Sequence, residues 1–109
     1  MLDKTTHINL LYDFYEPILT EKQRKVMELY YHEDWSLGEI ADHLSISRQA
    51  VFETIKRSQS ALEEWESMLQ LAQKHQRRTQ LLQAIRQMIT DSSVEKEVTH
   101  LLDQMAELD

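Results

Sequence analysis

The segment from Ser36 to Arg57 constrains the fold most, because it holds two short amphipathic helices, each opened by a serine, with only a tight turn between them. In Ser36-Leu37-Gly38-Glu39 the serine hydroxyl is placed to accept from the third amide of a helix while Glu39 returns a bond to the serine amide. That capping box fixes where the first helix starts. Leu37, Ile40, Ala41 and Leu44 then fall on one face. Ser45-Ile46-Ser47 breaks the period, and with no glycine in the turn Ser45 is expected to hold a position that asks for positive φ. Ser47 caps the second helix, whose inner face is Val51 and Ile55, with Ala50 small enough for a close crossing. Arg48, Gln49, Phe52, Glu53, Lys56 and Arg57 point outward. The pattern is a helix-turn-helix, and an outward second helix of this kind is built to enter a groove, most often the DNA major groove. The same spacing also serves plain helix packing.

The rest of the chain reads as helix too. One Gly and one Pro in 109 residues leave few enforced stops, and no run alternates as a strand does. A first helix is expected over Thr5–Ile18 with Ile8, Leu11, Tyr12, Tyr15 and Ile18 or Leu19 inward, and with a kink or end near Tyr15 forced by Pro17. Thr20-Glu21-Lys22-Gln23 is a second capping box, opening a helix to about Tyr31 whose apolar residues are Val26, Met27, Leu29 and Tyr30. Trp35, just before the Ser36 cap, is placed to pack back over the next helix. Past Arg57 the spacing of Leu62, Trp65, Leu69 and Ala72, then Leu81, Ile85 and Met88, predicts one long helix or a pair meeting near Lys74 to Thr79. Asp91-Ser92-Ser93 breaks it, and Val94, Val98, Leu101, Met105 and Leu108 mark a last helix. The expected fold is all-α: a head over residues 1–60 carrying the motif at 36–57, and a long C-terminal helical arm over 61–109 that either closes on itself or pairs two copies. Leu62, Trp65, Leu69 and the Val94 to Leu108 stripe are the candidate seam of a homodimer.

Charge limits the functional classes. The net charge is −7, with −3 over residues 1–60 and −4 over 61–109, so neither half is a basic domain. Cations cluster only locally: Arg48, Lys56 and Arg57 on the outward helix, Lys22, Arg24 and Lys25 before the motif, and Lys74, Arg77, Arg78 and Arg86 in a stretch without acids. Binding to DNA or RNA through such patches is expected to be modest in affinity and strongly salt-dependent. The last helix is acidic, net −5 from Asp91 to Asp109. Without cysteine there are no disulfides or thiolate metal sites, which fits a reducing cytoplasm, and no stretch approaches the roughly 20 apolar residues of a membrane span.

Chemistry-bearing constellations are missing. The five histidines lack the spacing of a helical zinc site, one glycine cannot build a phosphate-cradling loop, and no nucleophile motif stands out. Glu63, Glu64 and Glu66 read as solvated helix charge. The expectation is no enzyme, no cofactor and no metal. Phe14, Tyr15, Tyr30 and Tyr31 beside basic residues suggest a base-stacking platform, although aromatics at helical spacing usually form core. Phe52 lies outward instead, where it can meet a thymine methyl, a partner protein or the neighbouring arm.

The run Leu19 to Tyr31, then Ser36-Leu-Gly-Glu-Ile-Ala41, Ser45-Ile-Ser-Arg-Gln-Ala-Val-Phe52 and Ile55-Lys-Arg57, resembles the YlxM family of small bacterial proteins. Leu10 to Tyr15 and Leu62 to Trp65 fit it as well. The likeness covers roughly residues 4–90, and the family's helix-turn-helix is similar to region 4 of bacterial sigma factors. It implies an all-helical head and no catalytic residue. Ser47, Arg48, Gln49, Lys56 and Arg57 match motif positions and are implied nucleic-acid contacts; Phe52, Glu53 and Thr54 depart from sigma factors, which commonly carry basic or amide side chains there. Family members are typically encoded beside the signal recognition particle GTPase or its receptor, which implies a regulatory role in that targeting pathway. The alternative is a protein-interaction module that docks the particle's GTPase or RNA polymerase through the acidic arm.

Overall fold

A computed structural model describes residues 4–89 and 92–108, and among these every regular element is helical. The chain divides into two compact units, Met1–Gln70 and Leu71–Asp109.

The first unit is built on one long helix. α1 spans Lys4–Tyr15 and ends where Pro17 imposes itself: Glu16–Ile18 form a single 3-10 turn with the proline in its first positions, where a missing N–H costs nothing. Leu19 rather than Ile18 takes the buried site, 3% against 43% exposed. α2, Glu21–Met27, opens with the expected reciprocal box: the Gln23 amide donates to the Thr20 hydroxyl at 3.1 Å and the Thr20 amide to Gln23 Oε1 at 2.9 Å. It then widens into a π turn, Glu28–His32. Of the apolar residues expected in this helix, Tyr30 lies at the surface on that widened turn, while Leu29 stays buried. Asp34 at φ 57° reverses the chain, and the Trp35 amide closes the turn by donating to the Leu29 carbonyl at 2.9 Å.

α3 spans Leu37–Leu44 and α4 spans Arg48–Leu69, 22 residues or about 33 Å of uninterrupted helix. α1, α2 and α3 all pack on α4. Leu11, Val26, Ile40, Val51 and Leu62 are completely buried where they meet. Ser58 is buried there too, its hydroxyl donating to the Thr54 carbonyl at 2.7 Å, while the Thr54 hydroxyl donates to Ala50 at 2.8 Å. Small, self-satisfied side chains thus line the inner face of α4 and let neighbouring helices approach without orphaned polar groups.

The sequence reading placed residues 61–70 in the arm, yet they continue α4 as part of the first unit. The helix stops at Gln70, φ 56°, four residues before the earliest expected junction. Periodicity cannot report this stop, because Leu62, Trp65, Leu69 and Ala72 keep their spacing across it. Leu62 is therefore core and not part of a dimer seam, while Trp65 and Leu69 are exposed.

In the second unit, α5, Leu71–Met88, packs against α6, Ser92–Glu107. Leu82 and Leu102 are buried, and Arg86 Nη2 lies 2.7 Å from Asp103 Oδ1, so part of the basic stretch is engaged by the acidic helix. Of the break expected at Asp91-Ser92-Ser93, Asp91 lies outside the described residues, and α6 begins at Ser92.

Candidate nucleic-acid interface

Two serine caps and one left-handed serine set the geometry of the motif. Ser36 accepts from the Glu39 amide at 3.1 Å and donates its own amide to Glu39 Oε1 at 3.0 Å, and the bond from the Ser36 amide holds the Glu39 carboxyl below the usual range. Trp35 turns back onto α3, edge-on to His43 at 5.1 Å between ring centres. Ser45 adopts φ 56° and ψ 45°, the conformation expected of the missing glycine, and the Ile46 amide donates to Ala41 at 3.0 Å to close the helix end. The Ser47 hydroxyl accepts from the Ala50 amide at 3.0 Å. Ser47 thereby fixes the first turn of α4, which carries Arg48 and Gln49.

With Val51 and Ile55 buried, Arg48, Gln49, Phe52, Glu53, Lys56 and Arg57 are all exposed along about 14 Å of one helix. Arg48 lies back against α3, its Nε 3.9 Å from the point where a Cβ on Gly38 would stand, so the lone glycine gives the guanidinium room without being indispensable. Gln49 Nε2 donates to Glu53 Oε1 at 3.2 Å, which ties down the only carboxylate on this stretch. Lys56 Nζ sits 5.7 Å from the Phe52 ring centre. The face is locally cationic, three charges against one restrained acid, in a chain whose net charge is −7.

Phe52, 44% exposed, separates two clefts. One of about 320 Å³ is lined by Leu37, Arg48, Gln49 and Phe52; the other, of about 310 Å³, includes Tyr30, Tyr31, Leu37, Phe52, Lys56 and Gln59. Tyr30 and Tyr31 meet edge to face at 5.0 Å, and the Gln59 amide donates to the Tyr31 hydroxyl. Sequence reasoning missed this second cleft, since it depends on the π turn that brings Tyr30 out.

Other sequence candidates separate from this face. Tyr15 is buried and Phe14 half-buried, so the four aromatics do not form one platform. Arg24 is a structural residue: its Nη1 donates to the Leu19 carbonyl at 2.9 Å and its Nε lies 3.7 Å from Glu16. Lys22 and Lys25 line a different, mixed-charge cleft with Glu21 and Glu28. The acidic cluster has partners on α1. Glu66 accepts from the Tyr15 hydroxyl at 2.6 Å, and Glu63, which stays half-exposed, pairs with His7 Nε2 at 2.8 Å, so two of these three carboxylates also bridge α4 to α1. Among the described residues no group of three His, Asp or Glu is placed to hold a metal, and no helix is long and apolar enough to cross a membrane.

Residues 2–102 match the model of the UPF0122 family, described as "Putative helix-turn-helix protein, YlxM / p13 like". A UPF0122 protein of Halalkalibacterium halodurans is 46% identical over 109 residues, covering all of both chains. One from Oceanobacillus iheyensis is 50% identical over 103 residues, 94% of this chain and 98% of the relative, and one from Bacillus pumilus is 45% identical over 108 residues, 99% and 98%. A helix-turn-helix arrangement realised in atomic detail and likeness over the full length lead to one assignment: the chain belongs to the UPF0122, YlxM / p13-like family of helix-turn-helix proteins.

Proposed function

We propose that the chain is a non-enzymatic, cytoplasmic, nucleic-acid-binding regulatory protein connected with the signal recognition particle targeting pathway. The observation that carries the reading is the outward face of α4, where Arg48, Gln49, Phe52, Lys56 and Arg57 project from a helix whose start Ser47 fixes. Cations at this face bind phosphate, and the amide and aromatic side chains meet bases. Resemblance to a family typically encoded beside the particle's GTPase supports the pathway. The test is capture from cell extract on the immobilised protein at low and high salt, with RNA, DNA and protein identified. Recovery of the particle's RNA or of a defined DNA, lost at high salt and lost with Arg48→Ala/Lys56→Ala, is the expected result; nuclease-insensitive recovery of protein alone refutes it.

Acidity motivates a second reading, a module that docks the particle's GTPase or RNA polymerase through the arm. Glu63 and Glu66 lie on α4 in the first unit and bridge it to α1, whereas Glu95 and Glu97 are exposed on α6. Under this reading Glu95→Lys/Glu97→Lys abolishes partner capture. Either reading accommodates a homodimer paired through the exposed Leu101 and Met105 of α6 and Leu108 just past its end.

A further inference from the structure

The two clefts beside Phe52 have a chemistry that a duplex groove does not use. Each holds one cation and no carboxylate, Arg48 on one side and Lys56 on the other, and the aromatic ring stands between them. A helix reading a duplex meets base edges, for which a phenylalanine offers only contact with a thymine methyl. A ring face, by contrast, is what an unstacked base needs, and stacking tolerates any base because every base has a π face. The cleft on the Lys56 side, about 310 Å³, has the size of a small-ligand site, at the lower end of roughly 300–1,000 Å³. It is walled by the Phe52 and Tyr31 rings and by Leu37, and its Gln59 amide and Tyr31 hydroxyl supply polar groups for a base edge.

We propose that this cleft takes one unpaired base of a single-stranded nucleic acid, stacked on Phe52, with the neighbouring phosphates at Arg48 and Lys56. This rests on the nucleic-acid reading of α4 and deepens it: strand and duplex both meet the cations, and only a strand uses the ring. Lys56, 5.7 Å from the ring centre, serves both the ring and the strand, and the tethered Glu53 carboxylate keeps its charge occupied by Gln49.

The experiment measures binding of a labelled oligouridylate and of a blunt mixed-sequence duplex to the full chain and to Phe52→Ala and Phe52→Trp, with folding checked by circular dichroism. Phe52→Ala is expected to weaken the oligouridylate by about 5- to 150-fold, the range for one lost stacking contact, and to leave the duplex unchanged. Phe52→Trp is expected to restore strand binding, with indole fluorescence quenched on saturation. Equal losses on strand and duplex, or no loss on either, overturn the proposal. So does competition by free AMP as effective as by the strand, which assigns the cleft to a nucleotide instead. Failure of the parent to bind either probe removes the nucleic-acid reading altogether, whereas loss with Arg48→Ala/Lys56→Ala alongside a neutral Phe52→Ala removes only the stacked base.

Discussion

If the α4 face holds phosphates, its charge count sets the salt dependence of binding. Three exposed cations, Arg48, Lys56 and Arg57, lie on the ten residues that carry it, while Gln49 and Ser47 are neutral and release no counterions. Each neutralised phosphate of a duplex contributes about −0.9 to the slope of log affinity against log salt, giving about −2.7 for the parent. Between about 50 and 200 mM salt the parent should then lose about 40-fold in affinity. Arg48→Ala/Lys56→Ala leaves one cation, a slope of about −0.9 and a loss of about 3.5-fold over the same interval. The buried partners of this helix, Val51 and Ile55, are untouched, so both proteins should melt alike. Fluorescence anisotropy with a labelled mixed-sequence duplex over a salt series measures the slope directly, and Lys96→Ala on α6, an exposed cation elsewhere, serves as the charge control. A double variant whose slope equals the parent's, or a control that lowers it as much, would refute the assignment of this face.

Further outcomes follow from the packing. Tyr15→Phe should cost about 1.5–3 kcal/mol in urea unfolding, because a buried hydroxyl loses its bond to the Glu66 carboxylate, and Glu66→Gln should be much milder. Ser47→Ala should cost about 1 kcal/mol through loss of the cap and should weaken nucleic-acid binding as the turn bearing Arg48 frays. Burial, together with a bond to Glu28, raises the Tyr12 hydroxyl pKa in the fold, so above about 10 the unfolded chain gives up this proton first. Stability should therefore fall as pH rises through that range, and Tyr12→Phe should flatten the decline in urea titrations. Sedimentation at low concentration should show a dimer that Leu101→Glu/Met105→Glu dissociates; a parent that is monomeric there excludes pairing through α6.

Local chemistry made much of this fold legible. The two capping boxes at Thr20 and Ser36 name both partners in four residues, and each forms as the spacing requires. Likewise the inward placement of Val51 and Ile55 dictates that Arg48, Phe52 and Lys56 face out. What the sequence could not convey depended on backbone conformations with no residue signature. Gln70 and Asp34 enter the left-handed region although neither is glycine, and the π turn at Glu28–His32 shifts Tyr30 out of phase with the helix before it. The roles of Glu63 and Glu66 were hidden for a different reason: their partners, His7 and Tyr15, are 56 and 51 residues away, and surface periodicity cannot report a contact of that range.

The clamp between α1 and α4 also sets an angle. Each residue of a helix turns it by about 100°, so a slip of one position would carry Phe52 from the surface toward the core and Val51 outward. His7 on Glu63 and Tyr15 on Glu66 grip two points one turn apart on α4, and the same unbroken rod carries Arg48 to Arg57 at its other end. The amino-terminal helix, whose Thr5 borders the cleft beside Phe52, therefore acts as an index pin for this surface, and the smallest portable unit of this motif begins at α1 rather than at Ser36.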